Sequence, residues 1–158
     1  MICLDDQGRV KNFVMNEKCA AGTGRFLEMM AKTLGLTIEE LGPVSLKAEN
    51  PVSITSQCSV FTEFETMVLI NEGKKIEDIA AGINQAMARR VYALINRIEI
   101  KKDLGITGGV AKNVAVVKNL EELIGFKAVE FPQDPQIMGA LGAALFAKEN
   151  YLKQQRRK

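Results

Sequence analysis

Apolar positions recur at intervals of three and four along much of this chain, and the breaks in that rhythm divide it into elements. Phe26, Leu27, Met30 and Leu34 are spaced as on a helix with one buried face, and Gly35 supplies the stop. Thr37 with Glu40 three residues on is a capping-box pattern, so TIEELG reads as a short helix. The stretch GPVSLKAENP then reads as irregular, and a further helix is expected from about Ser56 to Asn71, before Gly73. The longest stripe is Ile76, Ile79, Ala80, Ile83, Met87, Val91, Leu94 and Ile98, which predicts a helix from about Lys75 to Ile98.

Elsewhere the rhythm changes. Ile2–Leu4 and Val10–Met15 flank DDQG and predict a β-hairpin, with Asp6, Gln7 and Gly8 in the turn. Leu104–Thr107 reads as a short buried strand running into Gly108-Gly109. A helix is expected over Val110–Ile124, a strand at FKAVEF, and after the proline-bounded PQDP a last helix over Gln136–Asn150. A hairpin, then helices, then strand–helix–strand–helix is the order of an α/β layer with helices packed on a mixed sheet. Residues 1–152 are taken as one lobe, and 153–158 as a basic, disordered tail.

Composition narrows the function classes. Of 158 residues, 47% are apolar and 25% charged, and the net charge is only +2, which gives no reason to expect a nucleic-acid partner. No apolar run approaches the roughly 20 residues of a membrane span, and the N-terminus lacks a signal-peptide pattern. Three widely spaced cysteines fit no disulfide framework, so a reducing, cytoplasmic setting is the expectation. The chain has no histidine at all, which removes His-dependent triads and His-ligated metals.

Three places can carry chemistry. Cys19-Ala20-Ala21-Gly22-Thr23-Gly24 lies between a strand and a helix, where small residues admit a ligand and free N–H groups favour an anion. Read alone, it is equally a tight strand-to-helix turn. Thr107-Gly108-Gly109-Val110-Ala111-Lys112-Asn113 is again strand, glycine pair, helix, the place where open α/β sheets bind nucleotides. Cys19 and Cys58 each stand at a predicted helix start, which favours a metal-binding thiolate. Each is otherwise a small buried apolar residue, and a zinc or redox sensor is a further reading. A [4Fe–4S] cluster takes four cysteine thiolates, and two copies of a chain with two placed cysteines would supply four.

Taken in order, NEKCAAGTGRFLE, CSVFTEFE with its cysteine thirty-nine residues after Cys19, ITGGVAKN and QIMGALGAALFA resemble the BadF/BadG/BcrA/BcrD ATPase family. Within it they are most similar to the activators of 2-hydroxyglutaryl-CoA dehydratase and related enzymes of anaerobes. The resemblance implies an actin/Hsp70/acetate-kinase-like (ribonuclease H-like) fold, and it covers a C-terminal lobe. It implies a homodimer bridged by one [4Fe–4S] cluster on Cys19 and Cys58, and ATP or ADP with Mg²⁺. Gly22, Thr23 and Gly24 would lie near the phosphates, Gly108 and Gly109 at the adenosine pocket, with Lys112 and Asn113 beside them. ATP would drive transfer of one electron to a 2-hydroxyacyl-CoA dehydratase or a benzoyl-CoA reductase-like partner, with ferredoxin or flavodoxin as donor. The family's D-x-G-S-T-type loop and second phosphate motif do not precede Cys19 here, so a complete Mg²⁺–ATP site is not expected of this chain alone. The alternative is a non-catalytic nucleotide-binding or dimerisation lobe.

Overall fold

The computed structural model describes residues 1–16, 24–55, 58–98 and 100–156. The chain opens on an antiparallel hairpin, β1 (Ile2–Leu4) and β2 (Val10–Phe13), with Ile2 opposite Phe13 and Cys3 opposite Asn12. Asp5 organises the turn. Its carboxylate accepts the N–H groups of Gln7 (2.9 Å) and Arg9 (2.8 Å), and Gly8 at φ 73° closes the loop in a conformation that favours glycine.

Helix α1 (Gly24–Thr33) buries Phe26, Leu27, Met30 and Ala31, the face its spacing predicts, and Gly35 ends it at φ 71°. Helix α2 (Ile38–Ser45) begins with the predicted capping box: Thr37 Oγ1 accepts the Glu40 N–H, and the Glu40 carboxylate accepts the Thr37 N–H at 2.8 Å. It runs further than the sequence suggests, carrying Pro43 inside it. Burial of Leu41, Gly42 and Ser45 holds this last turn against the proline's missing donor, a tertiary effect that local propensity does not contain.

Helix α3 (Ser59–Asn71) starts after Cys58 and ends before Gly73. It packs the wrong way round for an amphipathic helix. Its buried residues are Thr62 and Thr66, while Val60, Phe61 and Phe64 stand about two-thirds exposed. Thr62 satisfies its hydroxyl by donating to the Cys58 carbonyl at 3.0 Å, and Thr66 points at the Met30 sulfur.

Helix α4 (Ile76–Ile95) is the centre of the core. Ile79, Ile83 and Met87 meet Phe26, Leu27, Met30, Leu41 and Val116, and a second cluster forms around Ala88, Ile95 and Leu120. The irregular segment before α3 is pinned along α4: buried Asp78 accepts the N–H groups of Glu49 (3.0 Å) and Asn50 (2.8 Å), and Val52 N–H donates to the Asp78 carbonyl. Gly82 permits this approach, because a Cβ there would fall on the Val52 carbonyl oxygen. Gly82→Ala is therefore expected to destabilise the protein by about 1–3 kcal/mol, the usual range for overpacking, although alanine is the better helix former. A urea midpoint measures it, and a stabilised variant would contradict the packing.

The C-terminal third departs most from expectation. Leu104–Thr107 and FKAVEF do not form strands among the described residues; a single parallel bridge joins Gly105 to Val129, with Val129 N–H donating to Leu104 O at 2.8 Å. Leu104 and Ile106 are half-buried and the residues between and after them exposed, so the segment is an edge and not a buried strand. The helix expected from Val110 is a 3-10 turn (Gly109–Lys112) followed by α5 (Val114–Ile124), because Asn113 breaks off to cap the latter. A second short turn, Pro135–Ile137, leads into α6 (Met138–Gln155). Lys153, Gln154 and Gln155, expected in a disordered tail, are helical; Glu149 and Lys153, one turn apart, extend the helix as a weak pair at 4.0 Å. Among the described residues no helix is long and apolar enough to cross a membrane.

Candidate functional site

Gly24, the last residue of the first glycine stretch, lies against the second glycine turn. Gly24 opens α1, and a Cβ built on it would stand 3.7 Å from Val110 Cγ2, within the turn that follows Gly108-Gly109. Positions more than eighty residues apart in sequence are thus brought side by side. Gly22 and Thr23, expected near the phosphates, and Cys19, expected as a cluster ligand, lie outside the described residues.

Gly108 adopts φ 89° and ψ 178°, a backbone state that a side chain would strain, and its N–H donates to Pro135 O at 2.8 Å. Gly109 begins the 3-10 turn. A Cβ there would press on the Gln136 amide nitrogen at 3.3 Å. The turn is therefore tied to Pro135 through its backbone and lies against the Gln136 side chain, with glycine required at position 108 by its backbone conformation.

Lys112 reaches back over that junction. Its Nζ donates to Asp134 Oδ2 at 2.8 Å and Gln136 Oε1 at 2.9 Å. Asp134 in turn caps the Pro135–Ile137 turn, accepting the Gln136 N–H at 2.9 Å. The Lys112 hydrogen bond, followed by that of the Gln136 N–H, holds the Asp134 carboxyl below its ordinary value. A carboxyl lowered on folding stabilises above its unfolded value, about 3.9, and loses that contribution as pH falls through its folded value. The Lys112–Asp134 tether is thus expected to stay intact from neutral pH down to about 4 and to release only below it. A carboxyl-carbon titration followed by NMR would show it, and an Asp134 midpoint at or above the unfolded value would contradict the tether. Both partners are about half exposed, so Asp134→Asn should change global stability little.

Asn113 faces inward. Its Oδ1 accepts the N–H groups of Ala115 and Val116, both at 3.1 Å, and its Nδ2 donates to Asn84 Oδ1 at 3.0 Å. The structure thus brings Gly24 against the Gly109–Lys112 turn at Val110 and turns the Asn113 amide into the protein. Asn84, Asp134 and Gln136 were not singled out from the sequence. Asp134 ahead of Pro135 carried a cap signal that could have been read; Asn84 carried none, because its burial depends on three helices meeting.

Cys58 is exposed at the N-cap of α3, and its side chain makes no capping hydrogen bond, so its thiol is presented at the surface. Its carbonyl accepts from both the N–H (2.9 Å) and the hydroxyl (3.0 Å) of Thr62, which fixes the backbone that carries it. Cys3 is half-buried on β1. Among the described residues no group of three or more potential ligands gathers within this chain.

The sequence model of the BadF/BadG/BcrA/BcrD ATPase family matches residues 1–147. The 2-hydroxyisocaproyl-CoA dehydratase activator of Clostridioides difficile is 47% identical over 144 residues, covering 91% of this chain and 54% of its own length. The (R)-2-hydroxyglutaryl-CoA dehydratase activating ATPase of Acidaminococcus fermentans is 46% identical, covering 90% and 54% respectively. A solved structure of the activator of 2-hydroxyisocaproyl-CoA dehydratase from Clostridium difficile, with bound ADPNP, superposes with a TM-score of 0.93 at 44% identity. It covers 99% of this chain and 58% of the other. The chain thus spans about half the length of the relatives it matches, and shares the actin-like fold of those activators.

Proposed function

The chain belongs to the BadF/BadG/BcrA/BcrD ATPase family, and from that premise we propose that it serves as the cluster-carrying, nucleotide-contacting lobe of an ATP-dependent one-electron activator. Its partner is a 2-hydroxyacyl-CoA dehydratase or an enzyme of similar chemistry. The observation that carries the reading is the convergence of Gly24 with the Gly108–Lys112 turn, in a chain 44% identical to an activator solved with bound ADPNP.

On this reading Gly22, Thr23 and Gly24 approach the phosphates, where the first turn of α1 favours negative charge. Gly108 and Gly109 let the adenosine part come close to backbone, and the Lys112 ammonium adds a positive charge held by Asp134 and Gln136. The donor set fits an iron–sulfur group: Cys58 is a free, exposed thiol on a braced helix start, and thiolate is the ligand such clusters take. Cys58 and Cys19, with the same pair from a second copy, would hold a [4Fe–4S] cluster, which supplies one-electron chemistry when bound. Ferredoxin or flavodoxin would serve as donor. The outward-facing Val60, Phe61 and Phe64, directly after Cys58, support an association surface on this side of the lobe.

The test is to supply the anaerobically reconstituted protein with ATP, a low-potential reductant and a 2-hydroxyacyl-CoA dehydratase, and to follow enoyl-CoA formation. ATP-dependent turnover supports the activator reading. Nucleotide binding with no turnover against competent dehydratases would replace it with a non-catalytic nucleotide-binding or dimerisation lobe.

A further inference from the structure

We propose that Asn84 is a positioning residue for the nucleotide-facing turn, acting through Asn113 to fix the conformation of Gly108–Lys112. The proposal rests on the nucleotide reading of that turn and adds to it a residue that touches no ligand.

Asn84 lies on the buried face of α4 and is fully enclosed. An amide in such a place is costly unless its donors and acceptor are all engaged. Here they are. Nδ2 donates to Ser45 Oγ at 2.9 Å and Leu41 O at 3.3 Å, and Oδ1 accepts from Asn113 Nδ2 at 3.0 Å. Ser45 passes the chain on, its hydroxyl donating to Gly42 O at 2.7 Å. One side chain on α4 thereby joins the end of α2 to the start of α5.

The consequence falls on Asn113. Its oxygen must face the Ala115 and Val116 N–H groups to cap α5, and an amide can flip. The Asn84 oxygen accepts only from a nitrogen, so it selects the capping orientation. Gly42 closes the other side, since a Cβ there would stand 2.9 Å from Asn113 Oδ1. Asn113 also closes the preceding turn, donating its own N–H to Val110 O at 3.0 Å. Losing the cap would free the Asn113 backbone, whose N–H closes the turn on Val110, and so loosen the Gly109–Lys112 turn against which Gly24 stands.

A leucine at position 84 keeps the volume and loses the amide. An aspartate at position 113 keeps the cap acceptor and loses the donor that Asn84 receives. The experiment compares Asn84→Leu, Asn113→Asp and the double variant by ADPNP affinity, melting temperature and amide hydrogen exchange. All are read well below each variant's melting temperature. Each single change is expected to weaken ADPNP binding about tenfold, the scale of one buried hydrogen bond, and the double variant should lose little more. Exchange at Gly109–Lys112 should quicken while the α4 amides stay protected. Lowered melting temperatures with ADPNP affinity within about twofold of wild type would make the network merely structural and overturn the proposal. If wild type itself binds no ADPNP, the nucleotide reading fails separately. Exchange then decides: selective loss of protection at Gly109–Lys112 in Asn84→Leu upholds the positioning role, and unchanged protection refutes it.

Discussion

Phe26→Ala is expected to cost about 3–5 kcal/mol of stability, the range for removing a fully buried aromatic side chain. Phe26 is 0% exposed and sits where α1 meets the central core, under the guanidinium of Arg90, 4.7 Å above its ring. Its loss leaves a cavity between α1 and α4 and removes the ring beneath Arg90. The same helix begins at Gly24, so loosening it also loosens the contact with the Gly109–Lys112 turn. By contrast Phe61→Ala, at a residue 66% exposed, should stay within about 0.5 kcal/mol. Denaturant unfolding of the two variants separates them. A Phe26→Ala loss below about 1 kcal/mol would mean the core is not centred where α1 meets α4.

Cys58→Ser is expected to abolish iron retention while leaving the fold intact. The side chain is exposed and makes no capping bond, so serine replaces it without a cavity or an orphaned partner. The helix start is braced by Thr62 through the backbone carbonyl, which serine also has. Iron per chain after anaerobic reconstitution should fall from about two to near zero, with an unchanged melting temperature, because a hydroxyl does not replace a thiolate ligand. Cys3→Ser should leave iron content unaltered. Full iron content in Cys58→Ser would remove this residue from any cluster.

What was legible in the sequence is what local chemistry decides. The Thr37/Glu40 box, the glycine stops at Gly35 and Gly73, the apolar face of α1 and the first half of that of α4 need only their own neighbours and are as expected. Helix α4 ends at Ile95, short of the Ile98 that closed its predicted stripe. The failures are tertiary. Pro43 lies within a helix because Leu41 and Ser45 are buried on α4. The apolar Leu104–Thr107 segment meets its partner Val129, more than twenty residues on, in a single bridge and no ladder. Helix α3 turns threonines in and phenylalanines out, the reverse of what its composition suggests. For the candidate site, Gly108, Gly109 and Lys112 could be found from their motif, but the Asp134 and Gln136 partners of Lys112 could not. The most specific motif, around Cys19, Gly22 and Thr23, lies outside the described residues. Asn84 reads in sequence as one polar residue interrupting a stripe, and only the meeting of α2, α4 and α5 gives it a role.

The proposed function requires two copies of this chain to share one iron–sulfur group. Anaerobic reconstitution of the wild-type protein with iron and sulfide, followed by native mass spectrometry and iron and sulfide analysis, tests it most directly. The expected species is a dimer carrying about four irons and four sulfides, with no cluster at monomer mass. A folded wild-type protein that takes up no iron, or carries its iron as a monomer, would contradict it.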